Sequence, residues 1–408
     1  MVAIAAISAS LAGVFNDFVY DDLPLIRDNL RVHRVDWALL FRTPYWPPPF
    51  VQQLYRPLTL LLLAVEYQLG AGSPVVFRLA SYLLYAACAC GVYVIGRDIL
   101  PRRAAFGAAL LFAVHPVHVE AVALGVGQAE LIVGLCALGM VGIYLSGRRA
   151  GGVTAPRWAV IALLYVVAAL SKENGLVLPV LLLAAELTLL NDRALRTRMR
   201  ALAPGYLLLA VVGASLVVQR SLVIGASALS VVPSRAMVGL GLAGRLYEML
   251  RIVPLWAERF IVPVQLQVDY VPSANESRVG VTLLRLAGLC PVVALPAAIV
   301  RLRRAAPAFA FGALWCVIGL LPVSNIVPTG VVLAERTLFL PSVGVVLAAA
   351  GAVEVALRRR NSPRLRELAL SALLVLTALG VIRSASRQHV WNSGHITIVP
   401  QPHNSNGD

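Results

Sequence analysis

Long apolar runs, each closed by charged residues or by glycine and proline, divide most of the chain. A helix that crosses the hydrocarbon core of a bilayer needs about 20 predominantly apolar residues, and these runs approach or reach that length. The pattern therefore predicts an all-α, polytopic transmembrane helical bundle of about 11 to 13 helices. The clear runs cover residues 1–19, 74–96, 104–118, 128–146, 157–171, 174–190, 202–219, 281–300, 307–323, 338–357 and 367–383.

Three stretches of the pattern need separate interpretation. Residues 57–69 are too short to span and contain Glu66, so we interpret them as a surface or re-entrant helix. Residues 221–262 contain two weakly apolar stretches broken by arginines and prolines, and they either cross twice or lie along the outer surface. Residues 1–19 could be a cleavable signal, but they lack a basic n-region, and we interpret them as a membrane helix.

The composition agrees with a membrane protein and excludes a soluble enzyme. Hydrophobic residues make up 59% of the 408 residues, charged residues make up 13%, and the mean hydropathy is +0.80. Soluble proteins carry about a quarter charged residues. The five cysteines fall inside apolar runs without the spacing of a zinc site or a disulfide framework, so we interpret them as packing residues.

The formal net charge of +15 is carried by short arginine clusters between the apolar runs. This distribution is the positive-inside pattern of cytoplasmic loops, and it argues against nucleic-acid binding. With a cytoplasmic amino terminus, every cluster falls on the cytoplasmic side, and a long loop at about residues 20–56 falls on the opposite side. The clusters lie within residues 97–103, 148–157, 193–200, 301–304 and 358–366.

The candidate chemistry lies in the loops on the side opposite the arginine clusters. The first of these loops opens with two adjacent carboxylates, Asp21 and Asp22. Adjacent carboxylates repel each other, so at least one tends toward a raised pKa, which is the condition that a general base near neutral pH requires. The alternative is that the two residues only cap and solvate the end of a helix.

The second of these loops contains His115, His118 and Glu120, followed by Glu130 at the start of the next apolar run. Ionisable groups at a helix end cost less than groups at mid-membrane, but an apolar chain rarely collects several without use. His-x-x-His with a nearby carboxylate could bind a metal ion. The spacing differs from that of the H-E-x-x-H zinc helix, so metal binding is the weaker interpretation.

Two later loops on this side supply cations. Lys172 is the only lysine in the sequence and precedes Glu173, so it is either part of an ion pair or a phosphate contact. Arg336 follows Glu335 just before an apolar run, where a guanidinium fork suits a lipid-linked phosphate. A structural pair between Glu335 and Arg336 is the alternative.

Six motifs in order carry a resemblance to a known family. They are F-V-Y-D-D (18–22), Y-R-P-L-T (55–59), H-P-V-H-V-E-A-V (115–122), S-K-E-N-G (171–175), V-D-Y (268–270) and the stretch from S-N-I to A-E-R-T-L-F-L-P-S-V-G (324–344). This set resembles the membrane portion of the transmembrane and tetratricopeptide-repeat O-mannosyltransferases, the TMTC family, and their bacterial homologues. These proteins are similar to the GT-C superfamily of polyprenyl-phosphate-sugar glycosyltransferases. The resemblance extends to about Trp391.

The resemblance implies a sugar donor linked through phosphate to dolichol or a bacterial polyprenol. It also implies inverting transfer to a hydroxyl of a protein or glycan on the external face. By similarity, one carboxylate of Asp21 and Asp22 accepts the proton of the acceptor hydroxyl, and the other orients the acceptor or the donor. The phosphate leaving group needs cations, for which Lys172, Arg336 and Arg56 are our candidates.

Other polar residues of the same loops are expected to line the pocket. The sequence defines no cofactor, and a divalent cation is the one candidate. The expected partners are the lipid-linked donor, the hydroxyl acceptor and the bilayer. The pocket candidates are His115, His118, Glu120, Glu130, Glu173, Tyr270 and Glu335.

The sequence departs from the family pattern at two places. The family commonly has G-R-A-[DE] where this chain has Gly127, Gln128, Ala129 and Glu130, so part of the donor contact is missing. The tetratricopeptide repeats that usually follow the last helix are also absent, so we expect a membrane domain at residues 1–387 and a short polar tail at 388–408. Acceptor choice would then come from elsewhere or from a partner.

Two other functions compete with glycosyl transfer. A transporter or lipid flippase would place ionisable groups near the bilayer midplane and often consists of two related halves, but the spans here are mostly free of central charges. An inactive, truncated homologue is the second alternative. The use of arginine in place of nearly all lysine indicates a GC-rich bacterial genome, and so favours the bacterial inner membrane.

Overall fold

The computed structural model describes residues 1–190, 194–225, 233–234, 237–268 and 278–392, and all regular secondary structure in these ranges is helical. Short 3₁₀ or π turns join several of the α-helices. The α-helices are α1 Val2–Ser10, α2 Trp37–Leu40, α3 Pro57–Gly70, α4 Pro74–Ile99, α5 Arg102–Ala113, α6 Val119–Ala123, α7 Gln128–Arg149, α8 Ala155–Ser171, α9 Leu178–Thr188, α10 Leu195–Ile224, α11 Leu242–Met249, α12 Ile252–Ile261, α13 Arg278–Leu302, α14 Pro307–Leu320, α15 Phe339–Arg360 and α16 Pro363–Arg387.

Six helical stretches in the described ranges are long and apolar enough to cross a bilayer, and they include α4, α7, α10, α13, α15 and α16. A further pair, Arg102–Ala113 and Pro116–Ala123, is bent by 47° and forms either a broken span or a re-entrant loop. Every predicted apolar run contains a helix, which confirms the all-α, multi-pass architecture. The predicted count of 11 to 13 spans is not confirmed, because the other apolar helices, Val2–Gly13, Pro57–Gly70, Ala155–Ser171 and Pro307–Val323, are shorter.

Helix α4 runs between the two ends of the bundle. Arg78, near its start, contacts Asp22 of the first loop, and Asp98, near its end, contacts Arg149. At about 1.5 Å per residue, these two positions on α4 lie roughly 30 Å apart. We call the end with Asp22 the first-loop end and the end with Arg149 the arginine-rich end.

The arginine-rich end is held together by the buried carboxylate of Glu186 on α9. It accepts hydrogen bonds from the guanidinium groups of Arg148, at 2.5 Å, and Arg198, at 2.7 Å, and from the hydroxyl of Tyr144, at 2.8 Å. A buried carboxylate is tolerated only when such partners satisfy it. This cluster therefore joins α7, α9 and α10 at one end of the bundle.

Helix α3 lies across the first-loop end instead of crossing the bundle. At its start, Arg56 donates to Glu173 at 2.9 Å, and near its end Glu66 accepts from Gln128 at 2.9 Å. Both partners belong to the first-loop end, so the two ends of α3 sit at the same depth. This agrees with the surface or re-entrant helix expected for residues 57–69.

The ambiguous stretch at 221–262 also stays at the first-loop end where it is described. Helix α10 continues to Ile224, and the 8 residues of α11 and 10 residues of α12 are too few to cross a bilayer. The imidazole of His115 contacts the carbonyl oxygen of Phe260 at 3.0 Å. Of the two alternatives, a course along the surface fits the described residues.

The end of α16 is packed against the first loop. Gln388–Trp391 form a 3₁₀ turn, and the fully buried Trp391 ring meets the Tyr20 ring edge-on at 6.4 Å. The start of the expected tail is thus part of the packed structure, and residues 393–408 lie outside the described residues. Of the cysteines, Cys88 and Cys136 are buried, as packing residues should be, whereas Cys90 and Cys290 are exposed.

Glycine brings α14 and α15 into close contact. A Cβ at Gly344 would lie 2.3 Å from the carbonyl oxygen of Gly312, and a Cβ at Gly312 would lie 2.4 Å from the backbone nitrogen of Ala348. Small residues permit such close backbone approach between membrane helices, where packing provides much of the association energy. The crossing fixes α15, whose start carries Arg336 in the turn just before it.

We predict that Gly344→Leu destabilises the bundle by about 3 kcal/mol or more, because the new side chain meets backbone atoms that cannot rotate away. Ala349→Leu, at an exposed position of the same helix, should have little effect. Thermal unfolding in detergent measures both variants. Equal unfolding temperatures for the two variants would contradict the close contact between α14 and α15.

Candidate functional site

The carboxylate of Asp22 is completely buried and fixes the first loop to the bundle. Its oxygens accept hydrogen bonds from the backbone nitrogens of Gly125, at 2.9 Å, and Val126, at 3.0 Å, and from Arg78 at 3.4 Å. Burial raises the pKa of Asp22, while Arg78 and the two backbone amides oppose that rise. Asp22 therefore ties the first loop to α4 and to the turn before α7.

The neighbouring carboxylate, Asp21, is partly accessible. It follows Tyr20, whose φ of 52° turns the chain, and its Oδ2 accepts a hydrogen bond from Nη1 of Arg336 at 2.8 Å. The side chains of Asp21 and Arg336 are both 18% exposed. The two adjacent aspartates thus differ in environment: Asp22 faces the interior, and Asp21 reaches the surface of the site.

Arg336 is positioned by a second carboxylate. Its backbone nitrogen donates to Oε2 of Glu120 at 2.8 Å, and its Nη1 lies 3.5 Å from Oε1 of the same residue. Glu120 is 1% exposed, so this carboxylate supports Arg336 from below. Arg336 therefore links the first loop, α6 and the turn before α15.

Lys172 forms an ion pair, but its partner is Glu130 at the start of α7 and not the neighbouring Glu173. Asn174 also donates to Glu130, at 3.5 Å. Burial lowers the pKa of Lys172, the charge of Glu130 opposes that fall, and the positive charges of Arg56 and Arg336 lower it further, so Lys172 lies within electrostatic reach of both arginines.

Glu173 holds two arginines at the same end. Arg56 lies 2.8 Å from its Oε2 and Arg220 lies 2.9 Å from its Oε1. Although burial alone would raise it, the pKa of Glu173 is lowered to about 2 by these two guanidinium groups. The guanidinium of Arg56 also lies over the ring of Tyr45, 4.8 Å from its centroid.

The two histidines serve packing and loop geometry. The ring nitrogens of His118 contact the hydroxyl of Tyr85, at 2.9 Å, and the hydroxyl of Ser342, at 2.8 Å. His115 uses one nitrogen for Phe260 and accepts from the backbone nitrogen of Val117 with the other. Both imidazoles are thus already satisfied, and within the described ranges no three His, Cys, Asp or Glu side chains are arranged to share a metal ion. The residues do not fit the metal interpretation of this motif.

Glu335 does not pair with Arg336 but with Arg387 at the end of α16, at 2.8 Å, and both side chains are almost fully buried. It also accepts from the backbone nitrogen of Gln267. Glu335 therefore connects the turn before α15 to the end of α16. Tyr270, predicted to line the pocket, lies outside the described residues.

Several residues of this end were missed by the sequence analysis: Arg78, Arg220 and Arg387. Each is a charged residue in a long, mostly apolar helix, and Arg387 is the last residue of its helix; the rarity of charges in such helices is the signal that could have identified them. Gln128, in the place of the usual arginine, donates to Glu66 and to the carbonyl oxygen of Phe77.

The site as a whole contains equal numbers of positive and negative side chains, each in contact with at least one partner of opposite charge. It combines residues from the first loop, the start of α3, α6, the start of α7, the turn after α8, α10 and the turn before α15. The cations are Arg56, Lys172, Arg220 and Arg336, and the carboxylates are Asp21, Glu120, Glu130 and Glu173.

Comparison with known proteins gives relatives over most of the chain. No protein-family model matches. The protein O-mannosyl-transferase F38B6.6 of Caenorhabditis elegans is 29% identical over 352 residues, which are 82% of this chain and 48% of the relative. The protein O-mannosyl-transferase Tmtc3 of Drosophila melanogaster is 26% identical over 464 residues, with 94% of this chain and 49% of the relative covered. The predicted TMTC-like resemblance is confirmed.

The chain spans about half or less of the length of these relatives. Mouse TMTC3, another protein O-mannosyl-transferase, is 34% identical over 172 residues, which are 40% of this chain and 18% of the relative. The similarity therefore concerns this membrane portion, and the activity of the whole relatives is a separate question.

Solved structures share the fold. One is the archaeal oligosaccharyltransferase AglB from Archaeoglobus fulgidus in complex with an inhibitory peptide and a dolichol-phosphate. It has a TM-score of 0.55 at 14% identity and covers 95% of this chain and 55% of that one. Another is ArnT from Cupriavidus metallidurans bound to undecaprenyl phosphate, with a TM-score of 0.50, 16% identity, and 93% and 63% coverage. The TMTC-like chain thus has the GT-C-like transmembrane fold that the resemblance implied.

The two aspartates should differ in their effect on stability. Asp22→Ala leaves the guanidinium of Arg78 and two backbone amides buried without their acceptor, so we expect a loss of about 3–5 kcal/mol. Asp21→Ala removes a partly exposed pair and should cost about 1 kcal/mol or less. Thermal unfolding and protease resistance in detergent test the difference. Similar losses for both variants would contradict the assignment.

Glu173 should contribute to stability in a defined pH range. Because its pKa is about 2 in the fold, below its usual 4.5, its ion pairs stabilise the protein above about pH 4.5, and this contribution is lost as the pH falls toward 2. Glu173→Gln should lower the unfolding midpoint at pH 7, and the gap to wild type should shrink below pH 4.5. The exposed Glu367→Gln serves as control and should show no gap at either pH.

Proposed function

We propose that this TMTC-like chain is an integral-membrane glycosyltransferase. It would move mannose or another hexose from a polyprenyl-phosphate-linked donor to a hydroxyl acceptor, with a protein Ser or Thr as the first choice. The curated relatives are named protein O-mannosyl-transferases, and the solved structures of the same fold hold dolichol-phosphate or undecaprenyl phosphate. Residues 1–387 would be the membrane domain that carries the reaction.

The observation that carries this proposal is the contact between Arg336 and Asp21. It places a partly exposed carboxylate 2.8 Å from a partly exposed guanidinium, at the end of a membrane bundle. Transfer from a lipid phosphate to a hydroxyl needs these two groups side by side, one for the acceptor proton and one for the leaving phosphate.

In the proposed reaction, Asp21 is the general base. Its carboxylate accepts the proton of the acceptor hydroxyl as the acceptor oxygen forms a bond to the anomeric carbon. The bond between that carbon and the phosphate oxygen breaks, and its electron pair remains on the phosphate. Since the displacement is direct, we propose inversion at the anomeric carbon. Asp22 is a positioning residue, because its contacts hold the loop that carries Asp21.

The cations would stabilise the charge that develops on the leaving phosphate. Arg336 is our first candidate because of its exposure, and Lys172 and Arg56 lie within electrostatic reach of it or of each other. Glu120, Glu130 and Glu173 would hold these cations in place. Preorganised charges of this kind need no reorganisation when the reaction occurs.

The site would face the extracytoplasmic side. The positive-inside rule assigns the arginine-rich end to the cytoplasm, and the first-loop end then faces outward, with the amino terminus of the chain inside. The lipid tail of the donor would remain in the bilayer while its phosphate reaches the site. We propose the bacterial inner membrane as the location.

The proposal predicts that purified protein in lipid transfers hexose from a polyprenyl-phosphate hexose to a Ser/Thr peptide. Asp21→Asn should lower turnover by about 10²- to 10⁴-fold, the usual contribution of a general base. Radiolabel transfer to the peptide measures it. Asp17→Asn makes the same charge change at an exposed position four residues before Asp21 and should retain turnover.

Full turnover of Asp21→Asn would place the base elsewhere. No transfer by wild type from any polyprenyl-phosphate hexose, together with movement of the lipid between leaflets in vesicles, would favour the transporter alternative.

A further inference from the structure

Every cation of the candidate site already has a carboxylate partner. The four positive side chains face four negative ones, so the site as described is electrically balanced. A phosphate that approaches brings additional negative charge close to these carboxylates. A phosphate that takes the Nη1 donor of Arg336 has to displace the carboxylate that holds it.

The pairs differ in how easily they open. Glu130 is 1% exposed beneath Lys172, and Glu173, although 25% exposed, is held by two arginines at 2.8 and 2.9 Å. Asp21 is 18% exposed, and among the described residues its side chain forms an ion pair with Arg336 alone. The pair between Asp21 and Arg336 is therefore the one that a ligand can replace at least cost.

Arg336 would stay in place after Asp21 leaves. Its backbone nitrogen is bound to Glu120 at 2.8 Å, and its guanidinium keeps a second carboxylate oxygen of Glu120 at 3.5 Å. Asp22, with its two backbone amides and Arg78, holds the adjacent backbone, so the release of Asp21 needs only a change of its side chain.

We propose that Asp21 occupies, in the donor-free protein, the place on Arg336 that the phosphate of the donor takes. Donor binding exchanges one ion pair for another and frees the Asp21 carboxylate for the acceptor hydroxyl. This inference rests on the proposed function, because it assigns a regulation to the same site. It makes donor binding the step that releases the base.

The exchange has a consequence that separates it from a simple catalytic role. A carboxylate that only lies near the donor phosphate weakens donor binding by charge repulsion alone. A carboxylate that also holds the Nη1 donor of Arg336 weakens it further, because the phosphate has to break that contact, so removal of its charge strengthens binding while it abolishes transfer. The exchange therefore predicts opposite effects on binding and on turnover.

The test measures binding of farnesyl phosphate, a short polyprenyl phosphate without sugar, to the full-length chain in nanodiscs by isothermal titration calorimetry. Asp21→Asn should bind it at least about threefold more tightly than wild type, as expected for the loss of a partly exposed ion pair. Asp17→Asn, exposed and four residues before Asp21, should bind as wild type. Farnesol, which lacks the phosphate, should bind all three proteins equally.

Two results would overturn the inference. One is that Asp21→Asn binds farnesyl phosphate no more tightly than Asp17→Asn does. The other is that farnesol gains affinity by the same factor, because the gain would then come from the tail. Asp21→Ser provides the same test if the Asn variant does not fold. Because farnesyl phosphate carries no sugar, its binding can be compared among the variants even if the wild-type protein transfers no hexose. A failure of this inference is thus distinguishable from a failure of the proposed function.

Discussion

The buried carboxylate of Asp22 is the constraint on which the rest of the site depends. It satisfies two backbone amides in the turn before α7 and the guanidinium of Arg78 on α4, and so joins the first loop to two long helices. A buried arginine without an anionic partner would lower the stability of the fold, so Arg78 requires the carboxylate of Asp22, and Asp22 likewise requires Arg78. Because Asp21 is the preceding residue, its direction toward Arg336 follows from this anchoring. The pair of aspartates is thus one positioning residue and one reactive candidate, with the difference set by burial.

Each predicted cation is likewise held in position by a carboxylate. Arg336 rests on Glu120, Lys172 on Glu130, and Arg56 on Glu173. Without the carboxylate, the longer cationic side chain would adopt many rotamers. Because the carboxylate already restricts them, a ligand that binds the cation loses less free energy to side-chain ordering. A site built in this way can be neutral overall and still present oriented donors to a phosphate. Its selectivity then depends on which pair a ligand can open, and not on a surplus of positive charge.

Much of the fold and the location of the site could be predicted from the sequence, but the pairing could not. Every predicted apolar run contains a helix, whereas the short helix α2 in the first loop was not predicted. The motif residues that the structure describes lie at one end of the bundle. The alternatives that paired adjacent residues, Lys172 with Glu173 and Glu335 with Arg336, differ from the observed ion pairs. Lys172 has an extended backbone, with φ −159° and ψ 148°, so it and Glu173 point apart. Glu335 and Arg336 sit in a 3₁₀ turn, where neighbouring side chains diverge by about 120° and meet Arg387 and Asp21 instead. Partners 42 to 315 positions away along the chain are set by tertiary packing.

The glutamine at position 128 shows how a departure from the family pattern can be absorbed. A neutral side chain there gives Glu66 a hydrogen bond but no charge, and burial then raises the pKa of Glu66 to about 8. The neutral form of Glu66 is thus favoured beside a neutral partner. Gln128 does not supply the charge of the usual arginine, but its amide is used in the fold, as a donor to a carboxylate 62 residues earlier in the chain, on the helix that lies across the first-loop end.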